Sequence, residues 1–360
     1  MSQWVEEELK EVSLGDNRLN SRLKTIVSKL SAYPESSIPQ VCGDWRNTKA
    51  TYRFWDNKEV KAEGIMLAHT KKTQERCAEH KTILAIQDTT DFDFTSHPST
   101  EGLGYLERRY LQGLKSHSVL TVSTEGSPLG LIHQENWARE NEKLGKKAER
   151  HRKETKEKES QRWIDSLLVT EDKLQNIRHI VTVADREADI YDLFSTPRKE
   201  NHDFLIRSAQ NRVVSHQKRK LCEAIKSEPI NGTVQLEIGR RGNRKARTAS
   251  LSIRYKTLEI QPPQNRRKSE GLQPIFLQVI FVEEIAHPSG EKPINWLLLT
   301  TLPVNNFEEA VKYLQWYTYR WLIERYHYVL KSGCGLEKLQ LRTAERLKKA
   351  FATYCSRYAG

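Results

Sequence analysis

Two short apolar runs, TILAIQ at 82–87 and HIVTVA at 179–184, each stop abruptly at an acidic residue, Asp88 and Asp185. Their length and lack of alternation read as buried strands. Each strand then delivers a carboxylate at its carboxyl end, where active-site groups often sit. A structural role is the alternative for Asp185, as the cap of a helix expected at 190–195.

Around these strands the remaining elements fall into groups. Leu19, Leu23, Ile26, Val27 and Leu30 recur at helical spacing behind Asp16 and Asn17, and Pro34 stops that helix. A second helix, WRNTKATYRFW at 45–55, follows Asp44. It is expected to hold Trp45, Thr48, Tyr52 and Trp55 on one side and Arg46, Lys49 and Arg53 on another, as a helical DNA-binding domain requires. An ordinary amphipathic helix pair would show the same pattern. A further helix is expected at 60–79.

Strands at 117–123 and 130–137 flank the turn Glu125-Gly126-Ser127-Pro128 and suggest an antiparallel meander. The charged segment 139–162 reads as an exposed loop leading into a helix at 161–173. A short strand, 204–206, ends at Arg207. From about 213 to 295 the pattern turns to period two, indicating a mostly β insertion. Its first connection carries Arg240, Arg241, Arg244 and Lys245, suited to a phosphate backbone or to a solvated hairpin tip.

The stretch YTYRWLIERYHYVLK at 317–331 contains no Gly or Pro. It is expected to lie in one long helix over 306–332, with Tyr317, Arg320, Glu324, Tyr328 and Lys331 along one stripe. Such a stripe can also be a solvated face with internal ion pairs. Asp88, Asp185 and Glu324 together form a sparse carboxylate set that needs no His or Cys to complete it. Hard divalent ions such as Mg2+ take such oxygen donors, and two of them suit in-line displacement at phosphorus.

The charge balance agrees with a polyanionic partner, since 59 Lys and Arg against 47 Asp and Glu leave a formal net charge of +12. A glycosidase built on two carboxylates fits that charge poorly. Five scattered cysteines without a CxxC read as reduced thiols. With no apolar run of 18 residues and an acidic start, MSQWVEEELKEV, a cytoplasmic protein is expected.

At these residues the chain resembles the DDE transposases of the insertion-sequence-four family, in the branch marked by a Tyr-x2-Arg-x3-Glu-x6-Lys signature. Tyr317, Arg320, Glu324 and Lys331 fit it without a gap. GDW at 43–45, YRF at 52–54, LAIQDTT at 84–90, HSVL at 117–120, LIHQE at 131–135, EKES at 157–160, DREADI at 185–190 and WLLLT at 296–300 extend the likeness over almost the whole chain.

The resemblance implies an α/β fold: a ribonuclease-H-like mixed sheet flanked by helices, formed by 71–212 and 296–345. A helical DNA-binding domain at 1–70, a β-rich insertion at 213–295 and the start of a helical dimerisation region at 346–360 would complete it. Asp88, Asp185 and Glu324 would bind two Mg2+ ions, with Mn2+ as a substitute. Trp296 would stack on a base flipped during hairpin formation. Tyr317, Arg320 and Lys331 would hold phosphates, and Arg207 would contact DNA. The partners implied are double-stranded DNA, as terminal inverted repeats and target, and a second copy of the chain in a synaptic homodimer. Relatives continue past this last helix, so a shortened, non-catalytic DNA-binding inhibitor or a decayed transposase is the alternative expectation.

Overall fold

The computed structural model describes residues 2–140, 158–214, 219–239 and 246–356. The charged segment 141–157 and the cations Arg240, Arg241, Arg244 and Lys245 lie outside the described residues. The chain divides into two compact units, one formed by Met1–Glu154, Val169–Arg178 and Trp321–Gly360, the other by Thr155–Leu168 and His179–Arg320.

The first unit begins with five helices, α1 (Gln3–Glu8), α2 (Asn17–Ala32), α3 (Ile38–Cys42), α4 (Trp45–Asp56) and α5 (Ala62–Ala78). Local chemistry sets two of their starts. The Asp16 carboxylate accepts from Arg18 N at 2.8 Å and that of Asp44 from Asn47 N at 2.7 Å, each satisfying an N–H that has no partner within its helix. Leu23, Ile26, Val27 and Leu30 form the buried stripe of α2, as their spacing predicts.

A buried ionic cluster fastens α1 to α5. The Glu8 carboxylate is 2.6 Å from His69 Nδ1 and 2.7 Å from Arg76 Nη1, and His69 Nε2 accepts from Leu131 N at 3.0 Å. Glycine is required opposite it: Gly130, at φ 134°, would carry a Cβ only 2.3 Å from Thr73 Oγ1.

The strands of this unit are β1 (Thr82–Asp93), β2 (Gly104–Tyr105), β3 (Gln112–Ser123) and β4 (Pro128–Trp137). All pair antiparallel, with β3 between β1 and β4, so the expected meander is present. Two boundaries differ from expectation, since β3 begins at Gln112 and not at 117, and β1 runs on past its apolar stretch. β1 does not stop at Gln87 but stays paired with β3 as far as Asp93, opposite Gly113. What ends at Gln87 is complete burial: 83–87 are buried and 88–91 half-buried. Asp88 therefore stands within a strand, opposite Ser118.

In the second unit the sheet order is β5 (His179–Ala184), β6 (His202–Arg207), β10 (Asn295–Thr300), β9 (Ile275–Glu284), β8 (Arg247–Ile260) and β7 (Gly232–Ile238). β5 and β6 are parallel and the other neighbours antiparallel, which makes the sheet mixed. The period-two strands of 213–295 thus continue the sheet through β10. Trp163 from α6 (Gln161–Lys173) enters a core with Phe204, Phe281 and Phe194, the last from α7 (Tyr191–Ser195), and two short helices, α8 (Leu221–Lys226) and α9 (Gln264–Glu270), follow in sequence. The rings of Phe194 and Phe204 stack at 5.2 Å. The first unit thus holds an antiparallel meander and the second a parallel pair within a mixed sheet.

The long helix expected over 306–332 is not continuous. α10 (Phe307–Thr318) ends in a tight turn, in which Tyr319 N donates to Trp316 O at 3.2 Å and Arg320 N to Tyr317 O at 3.1 Å. α11 (Trp321–Tyr328) follows, then a π-turn over Val329–Gly333 closed by Cys334 N to Val329 O at 2.7 Å. No Gly or Pro marks the break. The residues buried by α10 (Tyr313, Leu314, Trp316, Tyr317) and by α11 (Ile323, Tyr326, His327) serve the cores of different units, and the chain turns where its allegiance changes.

The last helix, α12 (Ala344–Cys355), is part of the first unit's core. Trp55 Nε1 donates to Thr353 Oγ1 at 3.1 Å, and the Phe351 ring lies 4.4 Å from that of Phe92. Among the described residues no helix is long and apolar enough to cross a membrane, and all five cysteines are free.

Candidate active site

In the first unit, the half-buried Asp88 faces a histidine that its sequence did not single out. His327 is nearly enclosed. Its Nδ1 lies 3.5 Å from Asp88 Oδ2 and its Nε2 3.4 Å from Oγ of Ser118, the residue paired with Asp88 across β1 and β3. Glu324, also half-buried, precedes His327 by three residues on α11, on the same face. The spacing E-x-x-H in WLIERYHY was the available signal for His327.

Lys331 lies in the π-turn, its ammonium 5.5 Å from the centre of the Phe92 ring. Burial lowers its pKa, while Glu337, Asp91 and Asp88 act in the opposite sense. The Asp91 carboxylate is itself paired with Lys115. A π-turn re-aims the side chains that follow it, so Lys331 does not continue an α-helical stripe from Tyr317.

The second unit assembles a basic and aromatic cluster. Arg207, at the end of β6, donates from Nη2 to Asn295 O at 3.1 Å, and its guanidinium lies 5.9 Å from the centre of the Trp296 ring. Trp296 meets Tyr317 edge-on at 5.4 Å. Burial raises the Tyr317 phenol pKa, while the nearby Arg320 and Arg207 pull it down and Asp185 pushes it up. The Arg207 pKa is lowered, chiefly by burial, and its buried Nε has no hydrogen-bond partner. Arg207, Trp296, Tyr317, Arg320 and Asp185 are therefore neighbours. An arginine held partly desolvated, with a donor unused, suits an incoming phosphate.

The two aspartates of DREAD have separate tasks. Asp185 accepts from Glu187 N at 2.8 Å and so caps the short 3-10 turn Arg186–Ala188, not the helix beyond it. Asp189 is buried and accepts from Ala209 N at 2.6 Å, Gln210 N at 2.7 Å and Ser208 Oγ at 3.2 Å, and it pairs with Arg212. It holds in place the loop that follows Arg207. Asp189 is an architectural carboxylate.

On α4 the cations Arg46, Lys49 and Arg53 are all exposed, and among the described residues none has an ion-pair partner. Thr48 and Trp55 are buried as expected. Trp45 departs from the expected apolar side: it is 75% exposed. Among the described residues no three His, Cys, Asp or Glu side chains gather closely enough to hold a metal ion.

Comparison with known families decides the class. The family described as Transposase DDE domain matches residues 79–358, and that described as Transposase DNA-binding matches residues 1–60. The chain belongs to the DDE transposases. Asp88, Asp185 and Glu324 all fall within the larger match. Among solved structures, the transposase resembles the piggyBac transposase synaptic complex with hairpin DNA, determined by cryo-EM. That likeness covers 99% of this chain and 71% of the other at 9% identity, with a TM-score of 0.37.

Proposed function

We propose that this transposase cuts and rejoins DNA at the ends of a mobile element by the cut-and-paste route of the insertion-sequence-four family. In sequence it stands close to the transposase of bacterial transposon five. The observation that carries this reading is the ungapped Tyr317, Arg320, Glu324, Lys331 signature, preceded in order by Asp88 and Asp185, inside a DDE domain match of 280 residues (79–358).

Asp88, Asp185 and Glu324 are the proposed reactive triad. Their chemistry suits Mg2+ or Mn2+, since carboxylate oxygens are the donors hard divalent ions prefer. Such ions, when bound, would supply Lewis-acid activation of a water or 3′-hydroxyl and neutralise charge on the leaving oxygen. The protein's own side chains do the positioning. Arg207 and Arg320 clamp phosphate oxygens, for which a planar guanidinium is shaped. Lys331 adds a compact charge, and Trp296 offers its ring face to an unstacked base during hairpin formation.

The helical segment 1–70 is proposed to hold the terminal inverted repeats through Arg46, Lys49 and Arg53. Residues 71–212 and 296–345 carry the chemistry, and the β-rich 213–295 contacts DNA, through Arg240, Arg241, Arg244 and Lys245 among others. Two copies are proposed to act together on paired ends.

The test is Mg2+- or Mn2+-dependent nicking of a duplex bearing the inverted repeat that flanks the gene. Glu324→Gln keeps the shape of the side chain and removes a charge, so nicking should fall by orders of magnitude while duplex affinity holds. A parent protein that binds the repeat and never nicks it would replace this reading with that of a DNA-binding inhibitor. Equal nicking by Glu324→Gln would remove Glu324 from the triad.

A further inference from the structure

We infer that Trp45 is the apolar anchor of the DNA-binding face, packing its indole against base edges of the duplex while neighbouring cations hold the phosphates. The inference rests on the proposal that residues 1–70 bind the element's ends. It goes further by assigning the part of that binding which does not depend on charge to one side chain.

Trp45 is the first residue of α4, and its backbone is fixed. The Asp44 carboxylate immediately before it takes both the backbone N–H of Asn47, at 2.7 Å, and the Asn47 side-chain amide, at 2.6 Å. The opposite face of the helix is committed to the core through Thr48, Thr51, Phe54 and Trp55. Trp45 takes no part in that packing. At 75% exposure it is the most exposed large hydrophobic side chain among the described residues, and there it has neither a ring partner nor a hydrogen bond. An exposed indole on a well-anchored helix offers a partner a large, rigid apolar surface with one N–H donor.

The surrounding charge identifies the occupant. Three lysines on α2 and α5 are paired by the acidic first helix and the turn after it: Lys24 by Glu6 at 2.6 Å, Lys72 by Glu7 at 2.6 Å and Lys71 by Glu11 at 2.9 Å. No such partner reaches Arg46, Lys49 or Arg53 among the described residues. Lys49 stands one helical turn from Trp45, and Arg46, Lys49 and Arg53 follow one another along one face. The acidic N-terminus thus offsets charge on α2 and α5, while among the described residues the exposed cations of α4 stand unpaired beside the exposed indole. A strongly anionic partner with an accessible apolar surface fits both features, and duplex DNA offers phosphates beside base edges and thymine methyl groups.

The two contributions respond differently to salt, which gives the test. Binding of a fluorescein-labelled duplex carrying the flanking inverted repeat, and of a scrambled duplex of equal length, is measured across salt for the parent, Trp45→Ala, Trp45→Phe and Lys49→Ala. Trp45→Ala should weaken repeat binding about tenfold at every salt concentration with an unchanged slope of log K against log salt. Lys49→Ala should reduce that slope by about 0.9, as loss of one phosphate contact does. Trp45→Phe should recover most of the affinity, and the fluorescence difference between parent and Trp45→Phe should change on adding duplex. Thermal melting of the free proteins separates misfolding from lost contact, and Trp45→Gln, which keeps a long side chain without the ring and should lose about as much affinity, stands in if Trp45→Ala melts early. Parent-like binding by Trp45→Ala at all salts overturns the inference while leaving the DNA-binding face in place. If Lys49→Ala and the matching Arg46 and Arg53 variants also leave slope and affinity unchanged, the face itself is wrong and the proposal for residues 1–70 falls with it.

Discussion

The imidazole of His327 lies between two residues that face each other across β1 and β3: its Nδ1 is 3.5 Å from Asp88 Oδ2 and its Nε2 is 3.4 Å from Ser118 Oγ. Because Glu324 sits three residues earlier on the same helix, one element carries both a proposed reactive carboxylate and an imidazole set beside another. A histidine beside a ligating carboxylate acts on its geometry, and loss of such partners typically costs about 10- to 100-fold.

His327→Ala should therefore lower nicking by about that factor and raise the Mg2+ concentration needed for half-maximal rate, with duplex affinity unchanged. His327→Asn, which keeps a donor near Asp88, should recover part of the loss. If the Mg2+ requirement of His327→Ala matches the parent's, His327 is a packing residue only.

The two aspartates of DREAD should separate cleanly by stability. Asp189→Ala strands Arg212 and leaves Ala209 N and Gln210 N without their acceptor, which should cost about 3–5 kcal/mol and appear as a marked fall in melting temperature. Asp185→Asn retains an oxygen for the Glu187 N–H and should melt within a few degrees of the parent, yet lose nicking. Equal melting losses for the two would refute the division of labour.

Arg320→Ala should weaken binding of nicked or hairpin ends, or transition-state stabilisation, by about 1–3 kcal/mol, as loss of a charge-assisted contact does. The same change should release Tyr317. With the Arg320 cation gone, the phenol loses its largest downward influence, and its titration, followed by ultraviolet difference absorption, should move to higher pH. An unmoved phenol titration would show that Arg320 does not act on Tyr317.

The cluster of Glu8, His69 and Arg76 sets an acid limit on the first unit. Burial pushes the Glu8 pKa up, but the hydrogen bonds and charges of His69 and Arg76 outweigh it, and the net shift is downward from 4.5. A carboxylate with a depressed folded pKa adds stability above its unfolded value, and that stability is lost as pH falls through the folded value. Melting temperature should hold near neutral pH and drop below about pH 4.5, and Glu8→Gln should flatten this acid limb while lowering stability at pH 7 by about 3 kcal/mol. A parental acid limb in Glu8→Gln would assign it to other carboxylates.

Features decided within a few residues were legible in the sequence. Asp16 and Asp44 start α2 and α4 because a short polar side chain satisfies a helix N–H wherever the rest of the fold lies. The alternation of 234–238 and 251–255 announced strands because period two is a property of extended backbone itself. The buried strand segments leading to Asp88 and Asp185 were legible too, as short apolar runs without alternation.

Other features depended on partners far along the chain. β1 runs on to Asp93 because β3 supplies hydrogen bonds beyond the apolar stretch. The helix breaks at Tyr319 and Arg320 without Gly or Pro because residues on either side enter different cores. His327 gained its place beside Asp88, and Asp189 its place in the core, only through pairing and packing across many residues. Trp45 was expected on an apolar face by its spacing from Tyr52 and Trp55. Periodicity reports which side chains share a side of a helix, but only tertiary packing decides how far the core extends along it, and here it leaves the first turn in water.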